Sequence, residues 1–267
     1  MRTKLLPLSL AVLGIVVPAE PIAAGPGNDM TNPRQPVLVE LFTSEGCSSC
    51  PPADALLEKL DRDQPISGAQ IIVLSEHVDY WNHDGWIDPY SSAAFTARQE
   101  TYDRRFGLDG PYTPEMVVDG SAEFNGSDSR KAESAIRQAV TEPRIAVRIR
   151  AAASGDAGLW LEVDPLPEGK IHKANVYVAY AADSGTSDVL RGENRGRTLH
   201  HVAIAGQIQQ VGTVNTRAVF KTQVPIRTAN GAAGSRLIVF AQEAGNGRVW
   251  GSALYAMPRA LPKEAKP

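Results

Sequence analysis

Only two cysteines occur in the 267 residues, Cys47 and Cys50, and they stand three apart between an apolar run and two prolines. Val37-Leu-Val-Glu-Leu-Phe42 reads as a short strand and Thr43-Ser-Glu-Gly46 as a turn. Leu38, Glu40 and Phe42 face one way and Val37, Val39 and Leu41 the other, so the strand lies inside a sheet covered on both sides. Pro51 and Pro52 fit only the first turn of a helix, where amide donors have no internal partner. Ala53, Leu56, Leu57 and Leu60 give that helix an apolar face, opposite Asp54, Glu58 and Lys59. Strand, tight loop, C-x-x-C and helix form a redox dithiol motif. A disulfide between such close neighbours restrains little of the unfolded chain, which favours a redox-active pair over a structural staple.

Pro51 is expected to push Cys50 away from helical geometry. Glu45 raises the pKa of Cys47, and no Lys, Arg or His adjacent in sequence lowers it, so the nucleophile is a slow one.

The length allows two domains. A formal net charge of -3 supplies no overall attraction to phosphate, which argues against a nucleic-acid partner. Arg2 and Lys4, an apolar run from Leu5 to Val17, and small residues at Ala19 and Ala23-Ala24 predict a signal peptide over 1–24. A linker follows over 25–34 and a flexible tail closes the chain over 258–267. No later stretch reaches the roughly 20 apolar residues of a membrane span. The mature protein is therefore expected to be exported, to the periplasm, without a membrane span.

Ile71 to Ser75 is a second buried strand. It runs into Glu76-His-Val-Asp-Tyr-Trp-Asn-His-Asp-Gly-Trp86, a loop on the same sheet edge as the cysteines if the strands are parallel. His77, Asp79, Tyr80 and Trp81 are candidates for a substrate cleft there. His77, Asp79, His83 and Asp84 could instead join the cysteines around a metal, but no two histidines have helical i, i+4 spacing, so neither metal site nor cofactor is assigned. Helices are predicted over 91–106 and 129–141. Between them, Thr113-Pro114 precedes a strand that Asp119-Gly120 closes into a hairpin. Beyond Pro143, short alternating runs (145–149, 159–163, 174–180, 200–204, 218–224, 237–241) predict a β-sandwich over 143–257. Within it, Arg191-Gly-Glu-Asn-Arg-Gly-Arg-Thr-Leu-His-His201 reads as a solvated hairpin tip or as a patch for an anionic ligand or partner. It lacks the length, lysine and helix of a nucleotide-binding loop. Asn125-Gly-Ser127 matches a glycosylation acceptor.

Phe42 to Cys50 resembles the opening of glutaredoxins, and Thr113-Pro114 resembles the cis-proline loop of thioredoxins. Val39 to Asp54, Glu76 to Trp81 and Tyr112 to Gly120 together resemble an uncharacterised family of exported thioredoxin-like proteins, gathered as a domain of unknown function. The resemblance implies an α/β thioredoxin-like domain over 35–141, followed by the all-β sandwich. It also implies the roles: Cys47 attacks a disulfide and Cys50 resolves the mixed disulfide. Glu40, one residue out of step with the buried acid of thioredoxins, relays a proton, while Thr113 and Pro114 hold the substrate backbone. The expectation is an exported thiol-disulfide oxidoreductase acting on a protein or small-molecule thiol or disulfide. The alternatives are a non-catalytic binding module and a protein that handles copper or zinc.

Overall fold

The computed structural model describes residues 34–151, 158–169, 171–227 and 234–257, all within one compact unit. The expected signal peptide, the expected linker apart from Arg34, and the expected tail lie outside the described residues. In chain order the elements are β1 (Gln35–Thr43), α1 (Pro51–Asp63), β2 (Ala69–His77), α2 (Ala93–Phe106), β3 (Glu115–Val118), β4 (Ala122–Asn125) and α3 (Ser129–Thr141). Then come β5 (Val147–Ala151), β6 (Gly158–Val163), β7 (Lys173–Asp188), β8 (Thr198–Asn215), β9 (Phe220–Pro225), β10 (Ser235–Gln242) and β11 (Val249–Ala256). No helix among the described residues is long and apolar enough to cross a membrane.

The expected fold class does not hold. There is no α/β thioredoxin-like domain followed by a separate sandwich; instead one mixed sheet of eight strands runs β11-β10-β7-β8-β2-β1-β3-β4, and β5-β6-β9 form a second sheet of three. The physical reason lies in β8, which joins the edge of β2 in parallel through Ser75 and Ile204. Alternating runs in the second half signal one buried face each, but alternation does not say which sheet a strand will extend.

Helices α1 and α3 cover Val37, Val39 and Leu41 through Ala53, Leu57 and Ile136. On the other face, Leu38, Ile72 and Leu74 pack with Phe95 of α2 and with Ala179, Ile238 and Phe240. The small sheet packs Leu159, Leu161 and Val163 against Val176, Val178, Leu237, Val239 and Trp250 of the large one. Asp119 and Gly120, both at positive φ, make the turn between β3 and β4.

A charged cluster pins α2 to this sheet. Arg98 donates from Nε to Glu40 Oε1 at 2.9 Å, lies 3.5 Å from Glu76 Oε2, and also donates to Gln242 Oε1 at 3.0 Å. Tyr102 donates to Glu40 Oε2 at 2.6 Å. Both carboxylates are fully buried. Burial pushes Glu76 well above the usual carboxylate range; Arg98 works against this and Glu40 adds to it. Removing the guanidinium leaves buried acids with no counter-charge. Arg98→Ala should therefore destabilise the protein by about 3–5 kcal/mol in urea unfolding at neutral pH, and a loss below about 1 kcal/mol would show that the cluster is neutralised without Arg98.

Candidate functional site

Parallel pairing of β1 with β2 matches Phe42 to Glu76 and Thr43 to His77, so both strands end at one level. The loops after them, residues 44–50 and 78–92, therefore share one edge of the sheet. Cys47 and Cys50 are joined in a disulfide at the start of α1. Cys50 accepts from the amides of Ala53 and Asp54 at 2.8 and 3.1 Å. It is helical, with φ -77 and ψ -37, despite the proline that follows, correcting the expected displacement from the helix. Both cysteines are 0% exposed, whereas Ser48 and Ser49 face solvent.

The Thr113–Pro114 peptide is cis, and it lies beside the motif. Ser49 Oγ sits 3.4 Å from Cys47 Sγ and 3.5 Å from the Thr113 carbonyl. Trp81 Nε1 donates to Thr113 Oγ1 at 2.8 Å. Gly126 allows the close approach of these parts, because a Cβ there would stand 2.7 Å from Leu41, 3.2 Å from Ala53 and 3.3 Å from Pro114.

Other residues singled out by sequence take different places. Glu40 projects to the face carrying α2, while α1 packs on the opposite face against Val37, Val39 and Leu41. Its carboxylate is engaged by Arg98 and Tyr102 rather than by the motif. Asp79 accepts from Thr96 Oγ1 at 2.6 Å and ties the loop to α2, and Tyr80 donates to Gln99 at 3.2 Å. Gln99 in turn donates to Glu115 Oε2 at 2.7 Å. Burial, opposed by that hydrogen bond and reinforced by Asp103, pushes the Glu115 carboxyl up to about 8, so it holds its proton at neutral pH. His77 is buried against Asp88, Nδ1 to Oδ2 at 2.7 Å. Among the described residues no group of three or more His, Cys, Asp and Glu side chains is arranged to hold a metal.

Glu45 was expected to act on Cys47, but the partners it gathers beside the motif were not foreseen. Glu45, two residues before Cys47, donates its amide to Asp88 Oδ2 at 2.8 Å and accepts from Trp86 Nε1 at 2.8 Å. Its other oxygen lies 3.3 Å from Nε2 of His201, which β8 delivers. His201 Nδ1 faces Asp54 of α1 at 3.7 Å, an ion pair too long for a hydrogen bond. His201 also meets the His77 ring edge to face, with centroids 4.6 Å apart. Burial alone would lower the His201 pKa, but Asp54 and Glu45 outweigh it and raise it to about 9. A buried imidazolium thus stands between acids on either side of the C-x-x-C loop. Local sequence gave no sign of it, since His201 is 154 residues from Cys47 by its number.

From the same region of the chain, the Arg191–Arg197 segment folds over the motif. Asn194, fully buried, donates from Nδ2 to the carbonyls of Glu45 and Cys47, both at 2.9 Å. Glu193 Oε2 accepts from the amide of Ser48 at 3.0 Å. The segment expected to be a solvated tip or a ligand patch is therefore the cover of the disulfide.

Residues 38–242 match the family described as "Protein of unknown function (DUF1223)". A crystal structure of protein AGR_C_4864 from Agrobacterium tumefaciens is 26% identical, with a TM-score of 0.64, covering 86% of this chain and 96% of its own. HBP35 of Porphyromonas gingivalis, 13% identical with a TM-score of 0.55, covers 88% of this chain and 79% of its own, a likeness of fold alone. No curated protein matches the chain.

The raised pKa of His201 fixes a pH dependence. Its contribution to stability is fully present below about pH 6.5 and is lost as pH rises through about 9. A rise from 6.5 to about 9 corresponds to about 3 kcal/mol. Urea unfolding of the wild type should show this decline across that range and His201→Gln should not; parallel profiles would show that His201 is uncharged in the folded protein.

Proposed function

The chain belongs to the DUF1223 family, whose description assigns no activity, and from the site itself we propose that the protein is a thiol-disulfide exchange protein working through Cys47 and Cys50. The observation that carries this reading is the closed disulfide at the start of α1, with Ser49 Oγ 3.4 Å from Cys47 Sγ and 3.5 Å from the Thr113 carbonyl. A bond between such near neighbours contributes little as a staple. It is suited to opening and closing.

In the exchange, a substrate thiolate attacks Cys47 Sγ. The Cys47–Cys50 bond breaks, a substrate–Cys47 mixed disulfide forms, and the electron pair passes to Cys50, which takes up a proton. A second substrate thiolate then attacks the substrate sulfur of the mixed disulfide. It releases an oxidised substrate disulfide and leaves Cys47 reduced. The reverse sequence oxidises the protein and reduces the substrate.

In this reading Thr113 and Pro114 offer backbone to the substrate; the Thr113 carbonyl lies 3.5 Å from Ser49 Oγ, and Trp81 fixes the Thr113 hydroxyl. His77, Asp79 and Tyr80 hold the loop that carries Trp81 to α2 and to Asp88. Glu45 and Asp54 disfavour a thiolate nearby, while the imidazolium of His201 offsets them. In this reading Glu45, Asp54 and His201 set the proton balance, and Glu40 has a structural task. An oxidised pair of this kind belongs in an oxidising compartment, in keeping with export to the periplasm.

The reduction potential tests the proposal. Equilibrated with glutathione buffers and read by alkylation and mass, the pair should fall between about -120 and -270 mV. A potential below about -300 mV marks a bond that resists reduction and would make the disulfide structural.

A further inference from the structure

We infer that the segment from Val189 to Arg197 occupies the place of substrate, and that the substrate is an acidic polypeptide thiol; the inference rests on the exchange reading above. The segment closes on itself at its base. Val189 donates to the Arg197 carbonyl at 2.9 Å, Gly196 to the Val189 carbonyl at 2.8 Å, and Thr198 Oγ1 to Asp188 Oδ1 at 2.6 Å. What lies above this neck touches the redox motif through side chains alone in two places.

Those contacts have the chemistry of a bound peptide. The Asn194 side-chain amide donates to the carbonyls of Glu45 and Cys47, as a peptide N–H would. The Glu193 carboxylate accepts from the Ser48 amide, as an acidic side chain or a peptide carbonyl would. Asn194 is itself satisfied by Arg197, which donates to its Oδ1 at 2.9 Å. Asn194 is held on the backbone of the loop that carries Cys47, and both cysteines are 0% exposed, so no macromolecule reaches the sulfurs in this arrangement.

Three features identify the displacing ligand. The occupant of the Ser48 amide is an anion. Arg191 and Arg195 are exposed at the rim and, among the described residues, neither side chain has an ion pair or hydrogen bond, in a chain whose formal net charge is -3. Two large apolar side chains, Leu190 and Ile87, are 69% and 73% exposed on the segment and on the neighbouring loop. The two loops touch, since a Cβ on Gly192, at φ +74, would stand 3.2 Å from Trp86. Pro51, Asp54, Ala55 and Glu58 of α1 face Arg197, Thr198, Leu199 and His200 across a shallow cavity of about 210 Å³, in which the two carboxylates leave the anion-binding role to Arg191 and Arg195.

An acidic polypeptide with apolar neighbours therefore takes over the Ser48 amide and pairs with the two guanidinium groups. The cover lifts, and the polypeptide's thiolate reaches Cys47. Electrons and protons then move as in the exchange described above, with the polypeptide's cysteines oxidised and the Cys47–Cys50 bond reduced.

The test uses the oxidised full chain and two synthetic dithiol peptides that differ only in having glutamates or lysines around the cysteines. Reduction of Cys47–Cys50 is followed by alkylation and mass. At low salt the acidic peptide should react about tenfold faster, and the advantage should shrink as salt rises. The pair Arg191→Ala and Arg195→Ala should abolish the preference. Glu193→Ala, at an exposed side chain that a folded protein tolerates, should speed both peptides severalfold; Asn194→Ala should do so more strongly, with circular dichroism confirming the fold. Equal rates for the two peptides, or no gain from Glu193→Ala, would overturn the inference. The potential, measured in glutathione buffers without peptide, separates the two proposals. Inside the catalytic window with no acidic preference, only the substrate assignment falls; below the window, the exchange reading falls and takes this one with it.

Discussion

The parallel pairing of β8 with β2 decides what stands near the cysteines. It rests on one register match, Ser75 with Ile204, yet through it a strand more than 120 residues later in the chain becomes a neighbour of the first βαβ segment. His201 lies three residues before Ile204 on that strand, and the covering segment lies immediately before the strand begins. Without this joint the disulfide would face solvent at a sheet edge, and Glu45 and Asp54 would lack their shared cation. The large sheet is therefore more than a scaffold for a self-contained motif. It completes the motif.

Two buried charge clusters lie on opposite sides of β1, and they are balanced differently. Around Arg98, one permanent cation serves Glu40 and Glu76, and the surplus acid is relieved by holding a proton. Around His201 the cation is itself titratable, so charge balance there depends on pH. The first cluster is suited to fixing α2 against the sheet. The second is suited to a place where charge changes during chemistry.

The motif and its immediate setting were legible in the sequence because they are local. The Val37–Phe42 strand, the prolines of α1 and the Thr113-Pro114 step each constrain backbone within a few residues. Period-two alternation also contains the correct placement of Glu40: it shares a face with Leu38 and Phe42, opposite the valines that α1 covers. Borrowing a role from related proteins obscured that. The shared sheet, His201 and Asn194 were not legible, since strand order and the meeting of distant segments depend on which edges pair. The basic loop was noticed for its charge, whereas its decisive residue is an uncharged amide.

Strands β7 and β8 form a hairpin of 16 and 18 residues. Its open end, where Lys173 pairs with Asn215, is near strands that build the smaller sheet's core, and its tip is the segment over the disulfide. Sequence drift at that tip is insulated from the packed interior by many paired residues. Descendants of one such protein can therefore diversify what lies over a common disulfide, by insertion or substitution at a single hairpin tip, while inheriting the folding core unchanged.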